Sequence, residues 1–128
     1  KKLYLKVNDI FPNNNFPKVK KDASIKDVIV EISSKRLGIT IVTDDNENLI
    51  GVITDGDIRR MLNENDTFTH LTAKDIMTKN PKTTNSEAMV IDAFHVMENF
   101  KITQLIVVDD SEFKGVLHLH DILKEGII

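Results

Sequence analysis

A chain of 128 residues with a formal net charge of -3 lacks the basic excess that holds nucleic acid, and it has no run of about 18 apolar residues to cross a membrane. It contains no cysteine, which excludes disulfides, zinc–thiolate sites and thiol nucleophiles and fits a cytoplasmic protein. The hydrophobic share of 41% is enough for a core, in one compact domain or in two half-domains that share one. The chain opens at Lys1 with no initiator methionine and no signal-peptide pattern, as expected of a piece of a longer protein.

The first segment, Val7-Asn8-Asp9-Ile10-Phe11, returns 66 positions later as Ala73-Lys74-Asp75-Ile76-Met77. Pro17-Lys18-Val19 reads as a short extended piece, matched by Pro81-Lys82-Thr83. Ile25, Val28, Ile29 and Ile32 then fall at i, i+3, i+4 and i+7, the apolar stripe of an amphipathic helix. Ser24-x-x-Asp27 has the form of a capping box at its start. Thr40-Ile41-Val42 and Leu49 to Ile53 are strands joined by the turn residues Asp44 to Asn48. A short helix over about Asp57–Leu62 and a polar linker at 63–72 follow.

The same order then repeats. Val90, Ala93, Phe94 and Met97 give a second helical stripe. Leu105 to Val108, a turn at Asp109 to Glu112 and Phe113 to Leu117 give a second hairpin, and Asp121–Lys124 a second closing helix. Gly51 pairs with Gly115, Asp57 with Asp121 and Ile58 with Ile122, each 64 positions apart, and Asp27 with Asp92 at 65. The expected organisation is therefore two β-α-β-β-α motifs, 1–62 and 73–128, joined by the linker at 63–72. Each motif alone would bury too little apolar surface. The expected fold is a mixed α/β (α+β) pair of motifs packed about a pseudo-twofold axis, with a cleft between them.

Thr54 falls at a strand end and Asp57 at a helix start, where exposed N–H groups favour anions. A threonine hydroxyl can donate to a phosphate oxygen, and an ionised aspartate, acceptor-only, suits paired ribose hydroxyls. A capping box, with Thr54 as N-cap and Asp57 three residues on, accounts for the same two residues without a ligand. In the second copy His118 stands in place of the threonine, with His120 two residues on, on the same face of a continued strand, and Asp121 beside it. Two neighbouring histidines without a third distant ligand do not make a metal site, so none is assigned. Arg59 could hold an anion with its fork, and Arg60 suits a solvated face or an ion pair with Glu64. Thr40 and Thr103 flank the strand starts, where cleft lining and turn hydrogen bonding explain them equally. No glycine-rich phosphate loop and no Ser-His-Asp constellation is present, so no residue is assigned as catalytic. Met61, Met77, Met89 and Met97 read as core filler.

Asp75-Ile76-Met77, Asn80-Pro81, Val107-Val108-Asp109 and the Gly51-Val52-Ile53-Thr54-Asp55-Gly56-Asp57 run together resemble a tandem pair of CBS domains over nearly the whole chain. A narrower resemblance is carried by Gly51 to Leu62 and by Gly115-Val116-Leu117-His118-Leu119-His120-Asp121-Ile122-Leu123. These are similar to the CBS pair that follows the sugar isomerase (SIS) domain of D-arabinose 5-phosphate isomerases, enzymes on the route to Kdo in lipopolysaccharide. Lys2-Leu3-Tyr4 to Asp9 resembles the junction after that domain. The resemblance implies that this chain itself is not an enzyme. It implies a regulatory ligand in the inter-motif cleft, CMP-Kdo or an adenosine nucleotide, contacted by Thr54, Asp57, His118, His120, Asp121, Arg59, Thr40 and Thr103. Lys82 and Thr83 would face that ligand. It further implies a homodimer through helix faces, with a purely dimerising scaffold as the alternative role.

Overall fold

The computed structural model describes residues 4–11, 16–35 and 38–126. Lys2 and Leu3 of the expected junction lie outside the described residues. Two compact units are present, one from residues within 15–81 and one from residues within 1–14 and 82–128.

The first unit contains β1 (Lys18–Lys20), α1 (Ile25–Lys35), β2 (Ile39–Thr43), β3 (Leu49–Thr54), α2 (Asp55–Glu64) and the short α3 (Ala73–Ile76). Its sheet has the order β1-β2-β3. β1 runs parallel to β2 and β2 antiparallel to β3. A parallel pair needs a crossover, which α1 supplies, whereas the β2–β3 pair needs only a turn. The Asp44 carboxylate shapes that turn by accepting the N–H groups of Asn46 and Asn48, each at 2.9 Å. At the start of α1 the Ser24 hydroxyl accepts the Asp27 N–H at 3.1 Å, half of the expected capping box. Ile25, Val28 and Ile32 are buried, while Ile29 is 37% exposed, so the buried stripe is narrower than the spacing predicts. Val19, Val28, Ile32, Val42, Ile53 and Ala73 form one core cluster. Full burial of each large aliphatic side chain in it contributes about 1.5–3 kcal/mol.

The second unit contains a 3-10 turn at Val7–Asp9, β4 (Thr83–Thr84), α4 (Val90–Phe100), β5 (Gln104–Asp109), β6 (Glu112–His118) and α5 (Leu119–Lys124). Its sheet, β4-β5-β6, repeats the parallel and antiparallel pairings of the first. Asp110 and Ser111, at φ 50° and 68°, make the two-residue turn between β5 and β6, where positive φ at both positions matches the strand twist. The expected β-α-β-β-α order is thus present twice, in a mixed α+β fold.

The compact units do not follow the order of the copies along the chain. Ala73-Lys74-Asp75-Ile76-Met77 leads the second copy, yet Ala73 is fully buried in the first unit's core. The Ala73 and Lys74 N–H groups donate to the Ala23 and Lys21 carbonyls, and Thr78 exchanges two backbone hydrogen bonds with Val52 at 2.7 and 3.0 Å. Val7 and Phe11 of the first copy's leading segment belong instead to the second unit's core, with Val90, Ala93, Met97, Leu105, Val107, Leu117 and Ile122. The Val7 N–H donates to the Ala88 carbonyl, and the Val90 N–H to that of Leu5. Each leading segment therefore completes the unit built by the other copy. This explains Gly51: a Cβ there would lie 2.6 Å from the Met77 sulfur and 2.9 Å from the Thr78 carbonyl oxygen.

The sheet registers also correct the match between the extended pieces. Lys18 pairs with Ile41 and Thr83 with Ile106. Thr83 is therefore the counterpart of Lys18, and Lys82 that of Pro17. Alignment of the two Pro-Lys steps is one residue out, and such a slip exchanges the faces of a strand.

Candidate functional site

Thr54 ends β3 and is the N-cap of α2. Its hydroxyl accepts the Asp57 N–H at 3.3 Å, and its own N–H donates to Asp57 Oδ2 at 3.0 Å. The capping box read from the sequence is therefore formed, and it starts the helix at Asp55 rather than Asp57. Asp57 is only 3% exposed, and a buried carboxylate needs donors to offset its lost hydration. It has them. The Thr78 hydroxyl donates to Oδ1 and Oδ2 at 3.0 and 3.2 Å, the Thr54 hydroxyl lies 3.3 Å from Oδ2, and Arg60 Nη1 donates to Oδ1 at 2.7 Å. Asp57, not Glu64, is thus the ion-pair partner of Arg60, and it holds the guanidinium pKa above its ordinary value, through that hydrogen bond first and charge second.

Arg59, its neighbour on α2, is exposed and makes no ion pair among the described residues. Thr40, the second residue of β2, is fully buried, and its hydroxyl donates to the Ile41 carbonyl at 3.2 Å. Lys18 and Lys20, alternate residues of β1, both grip Glu47 in the β2–β3 turn, at 2.9 and 2.7 Å. The hydrogen bonds from Lys20 and Lys18, with their charges behind them, bring the Glu47 pKa down to about 2.

In the second unit His118 ends β6 and is the N-cap of α5. Its Nδ1 accepts the His120 N–H at 3.0 Å, which places the ring proton of the neutral imidazole on Nε2. The His118 N–H donates to Asp121 Oδ2 at 2.9 Å. The strand stops at His118 and the helix begins at Leu119, so His118 and His120 do not share a strand face as their spacing predicts. The competing principle is capping: a ring nitrogen replaces the threonine oxygen as acceptor for the helix's first N–H groups. Asp121 is partly exposed, and the His118 N–H is its one donor among the described residues. The two matched carboxylates thus sit in unequal surroundings, Asp57 closed in and Asp121 open.

The remaining candidates collect at the same end of the second unit's sheet. Gln104, the first residue of β5, is the cross-strand partner of His118. Thr103 precedes it, exposed, and its carbonyl accepts the Leu119 N–H at 2.8 Å. Lys82 enters β4, its carbonyl accepting the Ile106 N–H, and its ammonium lies 4.0 Å from the centre of the Phe100 ring. Thr83 follows, also exposed. Lys82, Thr83, Thr103, His118, His120 and Asp121 belong to this unit, and Thr40, Thr54, Asp57 and Arg59 to the first.

Sequence reasoning missed Thr78. Its signal was its place directly after Met77 in the repeated leading segment. It also missed Ser86, whose N–H and hydroxyl hold Asp109 at 2.9 and 2.6 Å and keep that carboxyl below its ordinary pKa. Among the described residues no group of three or more His, Asp or Glu side chains is gathered as for a metal ion, and no helix is long and apolar enough to cross a membrane.

Comparison with known proteins places this geometry in a family context. The CBS domain family model matches residues 7–64 and 73–127. The arabinose 5-phosphate isomerase KdsD of Escherichia coli K12 is 36% identical over 129 aligned positions, covering 100% of this chain and 39% of that protein. The chain thus spans about two fifths of the curated relative it matches. Among solved structures, CBSX2 in complex with AMP superposes with a TM-score of 0.82 at 26% identity, covering 95% of this chain and 96% of that one. The CBS-domain protein ATU1752 of Agrobacterium tumefaciens gives a TM-score of 0.87 at 18% identity, with 98% and 96% covered.

Proposed function

This chain belongs to the CBS domain family, as a tandem pair homologous to part of KdsD, and we propose that it is the ligand-sensing regulatory region of an arabinose 5-phosphate isomerase. A CBS domain pair is a regulatory module and not a catalytic one, so the isomerase chemistry belongs to an SIS domain elsewhere in the parent protein. The ligand we propose is a sugar nucleotide, CMP-Kdo, which presents a phosphate, a carboxylate and a ribose. One observation carries the reading: His118 occupies the capping position that Thr54 holds in the first copy, with its Nδ1 engaged and Nε2–H left as a donor for an anionic oxygen. The exposed cation of Lys82 and the exposed Thr83 and Thr103 at the same sheet end support an anionic partner. Bound ligand would change the enzyme only through unequal affinity for two of its states.

Calorimetry with CMP-Kdo tests the assignment. The His118→Ala, His120→Ala double variant is expected to bind at least about tenfold more weakly, the worth of one hydrogen bond to a charged group. Equal affinity in both proteins would remove these histidines from the site.

A second ligand reading has its own support. CBSX2 was solved with AMP, and Thr54 and Asp57 are the residue types that suit phosphate and ribose. AMP binding in preference to CMP-Kdo would decide for an adenosine-nucleotide sensor. We further propose a cytoplasmic homodimer joined through helix faces. Exposed Val30 on α1, Leu62 on α2, Phe100 on α4 and Leu123 on α5 support apolar pairing. A monomer by sedimentation at all practical concentrations would remove the dimer.

A further inference from the structure

Among the described residues of the first unit, Asp57 is a buried carboxyl group whose donors come from two separated stretches of chain. Thr54 and Arg60 flank Asp57 on β3 and α2, but Thr78 lies 21 residues away, at the end of the segment that leaves this unit for the other. That segment is fixed by the Thr78–Val52 backbone pair, by Met77 seated over Gly51 and by the Thr78 hydroxyl on Asp57. The position 66 residues before Thr78 is Pro12, which has no hydroxyl, and Lys124 stands where the first copy has Arg60.

We propose that Asp57 and Thr78 form a competitive latch: retention of Thr78 on Asp57 and engagement of Asp57 by ribose hydroxyls exclude one another. The inference rests on the nucleotide-sensing reading above. The argument is one of acceptor capacity. A carboxylate offers about four lone-pair sites. Those of Asp57 already serve the Thr54 N–H and hydroxyl, the Thr78 hydroxyl and the Arg60 guanidinium, at 3% exposure. A vicinal diol needs at least one of these places. The Thr54 N–H is held by the capping box, whereas Thr78 is itself exposed and sits on a separate segment, so it is the donor that yields. Its departure removes one of the three ties on residues 77–78 and leaves the Val52 backbone pair and the Met77–Gly51 packing easier to open. Occupancy of the first copy thereby reaches the stretch that links the two units.

The test compares the whole chain with its Thr78→Val variant, which keeps the shape and removes the hydroxyl. AMP, the probe, is titrated by calorimetry, and amide hydrogen exchange is followed at Val52 and Thr78. The latch predicts AMP binding about tenfold tighter in T78V, the scale of one released hydrogen bond to a charge. It also predicts faster exchange at both amides when AMP is added to the wild type. Equal AMP affinity with unchanged exchange overturns the latch and leaves the sensing reading standing. AMP binding to neither protein removes the adenosine reading, and the latch is then decided by a thermal double-mutant cycle of D57N and T78V. Losses smaller than additive uphold the Asp57–Thr78 tie, and additive losses overturn it.

Discussion

Replacing Gly51 by alanine tests the packing that binds the leading segment of one copy to the sheet of the other. The added Cβ would lie 2.6 and 2.9 Å from the Met77 sulfur and Cγ, and 2.9 Å from the Thr78 carbonyl oxygen. The methionine end can swing away, because a thioether chain is flexible. The carbonyl cannot, because it accepts the Val52 N–H at 3.0 Å while Thr78 donates back at 2.7 Å. Relief therefore requires residues 77–78 to withdraw. Two backbone hydrogen bonds at about 1 kcal/mol each, with overpacking at about 1–3 kcal/mol, give a loss of about 3–5 kcal/mol. For a chain of this size that lowers the melting temperature by about 10–20 °C. Thermal and urea unfolding followed by circular dichroism measure it. In a Met77→Ala background most of the cost of Gly51→Ala should remain, since the contact that cannot yield is the one with the Thr78 carbonyl. A melting temperature within about 2 °C of wild type, or disappearance of the cost in the Met77→Ala background, would refute the argument.

Other substitutions separate this close approach from ordinary glycine effects. Gly56→Ala should stabilise the chain by about 0.5–1 kcal/mol, because a Cβ there meets only the Thr54 hydroxyl at 3.6 Å and Arg59 at 3.9 Å, and alanine favours the helix. Urea unfolding reads the gain, and a loss would mean that the first turn of α2 differs from the one described. The Glu47 carboxyl should titrate at about 2, and in a Lys18→Met, Lys20→Met variant near its ordinary value of 4.5. A carboxylate with a depressed pKa contributes its stabilisation above the ordinary pKa and loses it as pH falls from there through about 2. Carboxyl chemical shifts in an NMR titration measure both midpoints, and a wild-type midpoint at the ordinary value would show that the two lysines do not hold Glu47.

Periodicity and repetition made the architecture legible because each element repeats its own apolar pattern. Val90, Ala93 and Met97 are buried where the second helical stripe predicts, and both hairpins form at the turns named from Asp, Asn and Ser. The exchange of leading segments was not legible. Chain order assigns Ala73 to Met77 to the second copy, and no local pattern records which sheet a four-residue helix joins. Strand β4 is only two residues long, too short to carry an alternation, so the one-residue slip between the Pro17 and Pro81 pieces could not be seen before the register with Ile106 was known.

At the candidate site, local chemistry read better than partners did. The Thr54–Asp57 capping box followed from spacing alone, since both its hydrogen bonds lie within four residues. The donation from Thr78 did not, because it depends on how a distant segment docks. His118 and His120 were placed on a strand face by period-2 reasoning, and a helix that begins one residue after His118 overrode it. Thr40 reads as a polar strand-start residue but lies fully buried in β2.

The central claim is that this CBS pair senses a sugar nucleotide. Thermal unfolding of the chain against CMP-Kdo, CMP, AMP and ATP tests it most directly. A ligand that binds only the folded state stabilises it by about 2.7 kcal/mol at a hundredfold excess over its dissociation constant. The account predicts a rise in melting temperature with CMP-Kdo that exceeds the rise with the other three. A larger rise with AMP or ATP would replace it with the adenosine reading, and no rise with any of the four would contradict ligand sensing and leave a dimerising scaffold.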